Sequence, residues 1–159
     1  MKRVYINEPV CMGCRLCEVY CQMEHSRWKD LVKAYKREGR SLLPSLLVEE
    51  RRPVCFAVQC RHCADPVCVY ACLSGALQKD PDSGAVTVDA EKCIGCWSCI
   101  LACPFGAIRQ DARQGRIVKC DLCAGRDMPA CVANCPNEAL VYVDAQDNAV
   151  NKAAISYSA

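Results

Sequence analysis

At 159 residues the chain has room for one ordinary domain or two small joined ones, and its 17 cysteines lie far outside normal usage. Aromatics make up only 6%, too few for a conventional aromatic core, so metal centres are expected to take over part of that work. The formal charge of +2 counts every cysteine as a neutral thiol; thiolate-bound clusters turn the balance acidic, which excludes the basic excess that nucleic-acid binding needs.

In chain order, Arg3-Val4-Tyr5-Ile6 alternates as a short strand does, and Asn7-Glu8-Pro9 turns the chain. Cys11-Met12-Gly13-Cys14-Arg15-Leu16-Cys17-Glu18-Val19-Tyr20-Cys21 then spaces its thiols as C-x2-C-x2-C-x3-C. Gly13 stands where a positive φ lets backbone amides turn toward the sulfurs. Residues 22–59 lack such a run. Their pattern predicts a basic helix over 26–37 ended by Gly39, then a hairpin of strands 45–50 and 54–59 about Arg51-Arg52-Pro53. Two readings of this insertion stand: a solvated basic face, or a docking surface for an acidic partner.

Cys60-Arg61-His62-Cys63, Cys68 and Cys72 form the next quartet, C-x2-C-x4-C-x3-C, with Asp65-Pro66 turning its longer gap. Residues 75–77 and 85–88 read as a hairpin with a glycine turn at Gly84. Cys93-Ile94-Gly95-Cys96-Trp97-Ser98-Cys99, closed by Cys103-Pro104, has the C-x2-C-x2-C-x3-C-P spacing of bacterial 4Fe-4S ferredoxins, in which the fourth Cys serves the other cluster. Gly95 matches Gly13. A second hairpin, residues 106–108 and 115–118, precedes the last quartet: Cys120, Cys123, Cys131 and Cys135-Pro136, with a loop gap carrying Gly125 and Pro129. Residues 138–143 read as a closing strand able to pair with 3–6, and the tail beyond is polar and expected to fray.

Sixteen of the 17 cysteines thus fall into four quartets, and Ser74-Gly75-Ala76-Leu77, Phe105-Gly106-Ala107-Ile108 and Asn137-Glu138-Ala139-Leu140 repeat after three of them. The repeat unit is ligand loop, short helix, strand. Zinc is the alternative from another class, giving a structural zinc-binding adaptor. Three consecutive cysteines at two-residue intervals would crowd one tetrahedral ion, however, and favour cubanes. Each quartet is complete, and neither a radical-SAM C-x3-C-x2-C nor a glycine-rich nucleotide loop occurs, so no catalytic residue is identified and a non-catalytic role is expected. The odd cysteine count and the absence of an apolar leader after Met1 speak against a disulfide scaffold. No apolar run approaches the roughly 18 residues that cross a bilayer; the reduced cytoplasm is the expected compartment. Cys55 reads as a buried structural thiol, His25 has no ligand spacing, and Trp97 is expected to shield its cluster from water. His62, between two ligands, is either a bystander or a hydrogen-bond donor that tunes a potential.

With all four quartets together, the chain resembles the four-cluster ferredoxin-like electron-transfer subunits that partner CO dehydrogenase, formate dehydrogenase, formate-linked hydrogenases, tungsten aldehyde oxidoreductase and dimethyl sulfoxide reductase, over residues 3–143. The resemblance implies an α+β fold of two pseudo-symmetric dicluster modules built from short helices and β-hairpins. The outer module comprises residues 1–59 plus 109–145, the inner 60–108, and the tail 146–159. The spacing supports exchange of the fourth cysteine but leaves the pairing open. The resemblance implies that the first quartet pairs with the fourth and the second with the third. One cluster then takes Cys11, Cys14, Cys17 and Cys135; the others take Cys60, Cys63, Cys68 and Cys103; Cys93, Cys96, Cys99 and Cys72; and Cys120, Cys123, Cys131 and Cys21. It further implies one-electron relay through four 4Fe-4S clusters, in anaerobic metabolism, between a catalytic oxidoreductase subunit and a FAD- or NAD(P)-dependent subunit, without membrane insertion. A free-standing soluble polyferredoxin is the nearest alternative, and self-association into a wire is compatible with the same pattern. Cys21 and Cys72 depart from the family pattern in lacking a following proline, and the last quartet in its short, seven-residue middle gap.

Overall fold

The computed structural model describes residues 2–51 and 53–144. Arg52, in the expected turn, and the tail 146–159 lie outside the described residues. The fold is α+β, with elements in the order β1 (Lys2–Ile6), α1 (Leu16–His25), α2 (Leu31–Arg37), β2 (Leu47–Arg51), β3 (Val54–Val58), α3 (Val67–Tyr70), β4 (Leu77–Lys79), β5 (Val86–Val88), α4 (Ser98–Ala102), β6 (Arg109–Asp111), β7 (Arg116–Val118), α5 (Ala130–Ala133) and β8 (Leu140–Asp144). Short 3-10 turns at Glu8–Val10 and Gly39–Ser41 complete the set.

The strands form four separate antiparallel pairs, β1–β8, β2–β3, β4–β5 and β6–β7. The first joins the two ends of the described chain, with Arg3 opposite Val143 and Ile6 opposite Leu140, and the ladder continues where the Asn7 N–H donates to Ala139 O at 2.7 Å. The other three are local hairpins. Each is too small to stand alone, since isolated two-stranded hairpins are marginal in water.

Every quartet supplies a helix that begins at or beside its third cysteine: α1 over Cys17, α3 over Cys68, α4 over Cys99 and α5 over Cys131. Three of them are four or five residues long, below the length at which helices hold themselves together; they depend on what they pack against. The basic helix expected over 26–37 begins only at Leu31. Asp30 stops it short: its carboxylate accepts the Lys33 N–H at 2.8 Å, an N-cap bond, and residues 26–30 stay non-helical. The strands of the following hairpin are Leu47–Arg51 and Val54–Val58; the first starts two residues later than expected, the Ser45 N–H donating to Cys21 Sγ instead, and runs one residue further.

Buried apolar residues gather into two cores. Val4, Leu46, Val48, Ala57 and Leu140 pack with Cys17, Cys21 and Cys131 in the first. Leu77, Val86, Ile108 and Ile117 pack with Cys99 in the second, with Cys68, Cys72, Cys93 and Cys103 against them. Each large aliphatic contributes about 1.5–3 kcal/mol on burial. Gln59 and Arg109 tie segments across these cores through backbone carbonyls, at 3.1 Å from Gln59 Nε2 to Val4 O and 3.1 Å from Arg109 Nη1 to Pro44 O.

Candidate functional site

Three cavities are lined by four cysteines each. Cys11, Cys14, Cys17 and Cys135 line one, with Gly13, Val48 and Leu140. Cys60, Cys63, Cys68 and Cys103 line a second, with Pro66, Val86 and Ile108. Cys72, Cys93, Cys96 and Cys99 line a third, with Leu77, Trp97 and Ile117. In each, a triplet from one ligand loop meets the last cysteine of another run. The remaining four form a fourth group, in which Cys131 lies within electrostatic reach of Cys120, Cys21 and Cys123. Cys14 and Cys96 are exposed, whereas Cys17, Cys21, Cys99, Cys123 and Cys131 are buried.

The loops achieve this curl by one repeated backbone device. The residue before the second cysteine of every quartet has a left-handed conformation: Gly13 at φ +67°, His62 at +43°, Gly95 at +66° and Leu122 at +61°. The reversal turns amides inward. His62 N–H donates to Cys60 Sγ and Leu122 N–H to Cys120 Sγ, each at 3.4 Å. Two quartets thus use a residue with a Cβ where the other two use glycine, at a cost of about 1–3 kcal/mol that surrounding contacts must offset. Gly95 has an added reason: a Cβ there would meet Gly115 O at 2.4 Å, because the β6–β7 turn lies against the loop.

Further amides reach other sulfurs. Ser45 N–H donates to Cys21 Sγ at 3.3 Å and Leu77 N–H to Cys72 Sγ at 3.4 Å. Although burial pushes the Cys72 thiol up, the amides of Leu77, Ala76 and Ser74 and the Ser74 hydroxyl outweigh it and hold the thiol below its usual range. The Ser98 amide and hydroxyl likewise lower exposed Cys96. Elsewhere burial dominates, raising Cys17 and Cys120 to about 12 and Cys99 to about 11, and pushing Cys131 up as well. Thiols in such places stay protonated until a cation displaces the proton. An apolar cavity with four sulfurs and inward amides suits a cluster whose iron supplies that positive charge while the amides stabilise its sulfur ligands.

His25 was not marked by any ligand spacing, yet it belongs to this site. It lies four residues after Cys21 on α1, one turn along the same face, with Nδ1 at 2.8 Å from Cys21 O and 3.8 Å from Cys21 Sγ. Its Nε2 donates to Asp121 Oδ1 at 3.1 Å. The Asp121 bond first, and the Cys21 sulfur second, raise His25 to about 11. For Asp121 burial works upward, but the His25 hydrogen bond outweighs it and holds the carboxyl down to about 2.

His62 is almost fully buried, and its Nδ1 accepts the Val86 N–H at 2.9 Å. The contact to Cys60 is made by its backbone, not by its imidazole. Burial, then Lys119, lowers its pKa to about 3, so the ring is neutral and its proton sits on Nε2. Cys55 lies outside the four groups and is partly buried; its thiol donates to Cys11 O at 2.8 Å and packs 3.2 Å from where a Cβ on Gly13 would fall. Trp97 packs on the second core beside Gly95.

Residues 52–145 match the 4Fe-4S dicluster domain. The chain belongs to that family. The resemblance to iron–sulfur electron-transfer subunits therefore holds, and 4Fe-4S clusters are the family's cofactor. Among its relatives, the electron transport protein HydN of Escherichia coli (strain K12) is 37% identical over 152 residues, covering 84% of this chain and 83% of that one. The polyferredoxin-like subunit of the aliphatic sulfonate oxidoreductase of Pyrococcus furiosus is 40% identical over 134 residues, covering 83% and 70%. AegA of Escherichia coli (strain K12) is 37% identical over 148 residues, but the chain, matched over 88% of its own length, spans only 21% of that longer protein. Among the described residues no helix of this dicluster protein is long and apolar enough to cross a membrane.

Proposed function

We propose that the chain is the non-catalytic iron–sulfur subunit of a cytoplasmic oxidoreductase complex and holds four 4Fe-4S clusters. The ligand sets are Cys11, Cys14, Cys17 and Cys135; Cys60, Cys63, Cys68 and Cys103; Cys93, Cys96, Cys99 and Cys72; and Cys120, Cys123, Cys131 and Cys21. The observation that carries this reading is the meeting of a triplet and a distant fourth cysteine around one cavity, three times over. When bound, each cluster supplies a centre that takes up and returns one electron.

The chain's residues give these sites an order. Cys131 is within electrostatic reach of Cys17, which links the fourth set to the first. Cys120 feels Cys60, which links the fourth set to the second. The second core holds cysteines of the second and third sets together. The row therefore runs from the Cys11 set, through the Cys120 and Cys60 sets, to the Cys93 set. Its two ends carry the exposed thiols Cys14 and Cys96, flanked by exposed Met12 and Ile94. Apolar side chains beside an accessible terminal site suit docking of partner proteins, here a catalytic subunit at one end and a flavin- or NAD(P)-dependent one at the other.

The two cores support a division into two dicluster modules. Residues 2–59 and 119–144 build the outer one. Ile117 packs with Leu77 and Val86, so the β6–β7 hairpin goes with the inner module, which we take as residues 60–118 rather than ending at 108. Iron, labile sulfide and zinc assays on anaerobically purified protein, with identification of whatever co-purifies, test the reading. About sixteen irons per chain beside an oxidoreductase at fixed stoichiometry is the expected result. About four zinc ions, or one or two clusters in an iron-replete preparation, would overturn it.

A further inference from the structure

Lys119 follows β7 and precedes Cys120, yet its side chain turns inward and is only 5% exposed. A long charged side chain is almost never buried to this degree without a compensating charge. Its ammonium donates to Val86 O and, at 3.0 Å, to Cys120 O. Both partners are neutral carbonyls, and among the described residues no carboxylate forms an ion pair with it.

Those two carbonyls belong to the walls of different sites. Val86 lines the cavity of Cys60, Cys63, Cys68 and Cys103. Cys120 belongs to the group with Cys21, Cys123 and Cys131. His62 fixes the same strand from the other side, accepting the Val86 N–H, so that both backbone groups of Val86 are held by buried side chains. The cation is thereby pinned at the joint between the two cores.

We infer that the missing counter-charge is the metal centres themselves, and that Lys119 sets the potentials of the two inner sites, those of Cys60 and Cys120. The inference rests on the ligand sets proposed above. An all-thiolate 4Fe-4S centre carries roughly −2 when oxidised and one further negative charge when reduced. A fixed cation nearby favours the reduced form of each neighbour. It makes the joint a place where the electron is held less unfavourably than it would be between two bare anions. The Lys119 ammonium is within electrostatic reach of Cys68 in one site and of Cys120 in the other. A unit charge within about 10 Å, at an effective dielectric of about 20, changes a reduced-to-oxidised ratio on the order of tenfold.

The test is an anaerobic redox titration of the intact protein followed by EPR, on wild type, Lys119→Met, Lys119→Gln and Lys119→Arg, each with iron content measured. In the neutral variants two of the centres should become harder to reduce by about tenfold in that ratio, or about 59 mV for a one-electron couple. The other two should stay in place, and Lys119→Arg should restore the pair. Iron-replete Lys119→Met or Lys119→Gln with unmoved potentials would overturn the inference, as would equal shifts at every centre or the same shift in Lys119→Arg. If neither neutral variant takes up full iron while Lys119→Arg does, Lys119 serves assembly and the inference fails too. A wild type short of iron counts against the ligand sets instead, so the two failures are separable.

Discussion

Gly95→Ala is the substitution whose cost the geometry defines best. At φ +66° an alanine is strained by about 1–2 kcal/mol. Its Cβ would also stand 2.4 Å from Gly115 O and 3.2 Å from Gly115 C. Those are backbone atoms of the β6–β7 turn, so the contact cannot be relieved by a rotamer change; the ligand loop or the hairpin must move, which adds about 1–3 kcal/mol. The sum, about 2–5 kcal/mol, corresponds to roughly 5–15 °C in a chain of this size. Gly106→Ala supplies the control: φ is +59° and nothing lies within 4 Å, so only the conformational cost applies. Gly13→Ala should fall between, since its neighbour at 3.2 Å is the side-chain sulfur of Cys55, which can shift by rotation. Anaerobic thermal denaturation, read by loss of the visible iron–sulfur absorbance, gives the three midpoints. Equal midpoints for Gly95→Ala and Gly106→Ala would refute the close approach of loop and hairpin as the reason for glycine.

Removing iron by chelation should abolish most of the far-UV circular dichroism, because helices of four and five residues and two-stranded sheets cannot persist without the centres between them; a native-like apo spectrum would contradict this. Cys55→Ala should leave iron content unchanged and destabilise by about 1 kcal/mol through loss of the hydrogen bond to Cys11 O; loss of iron in this variant would make Cys55 a ligand. On the proposed ligand sets, Cys103→Ser and Cys135→Ser should each impair a single centre and spare the rest, which metal analysis and EPR of the separate variants would check against loss of both centres in a module. Asp30→Ala should cost about 1 kcal/mol of α2 stability, visible as faster hydrogen exchange at the Lys33 amide and unchanged exchange in α1.

Ligand spacing is local covalent information, and it carries far. The C-x2-C-x2-C and C-x2-C runs, the glycines before the second cysteines and the hairpin signals after the quartets were legible because a loop that must curl around a cluster restricts the residues within it. The strand pairing of residues 3–6 with 138–143 was likewise readable from alternation, and β1 does pair with β8. Long-range relations were not readable in this way. Whether Cys135 meets Cys17 or Cys99 depends on how the two cores divide the hairpins between them, and Ile117 joins the second core only through packing. The basic composition of residues 26–37 continues across Asp30 and so does not show the helix start, which the Asp30 cap bond sets at Leu31. The i, i+4 relation of His25 to Cys21 has meaning only once Asp121 arrives from 96 residues away to hold the other nitrogen, so no local spacing marks it. Lys119 reads as one more surface cation in a chain of 20 Lys and Arg. Only the closing of β5 over it buries its ammonium against the carbonyls of Val86 and Cys120, since burial is a property of the packed molecule and not of any local stretch.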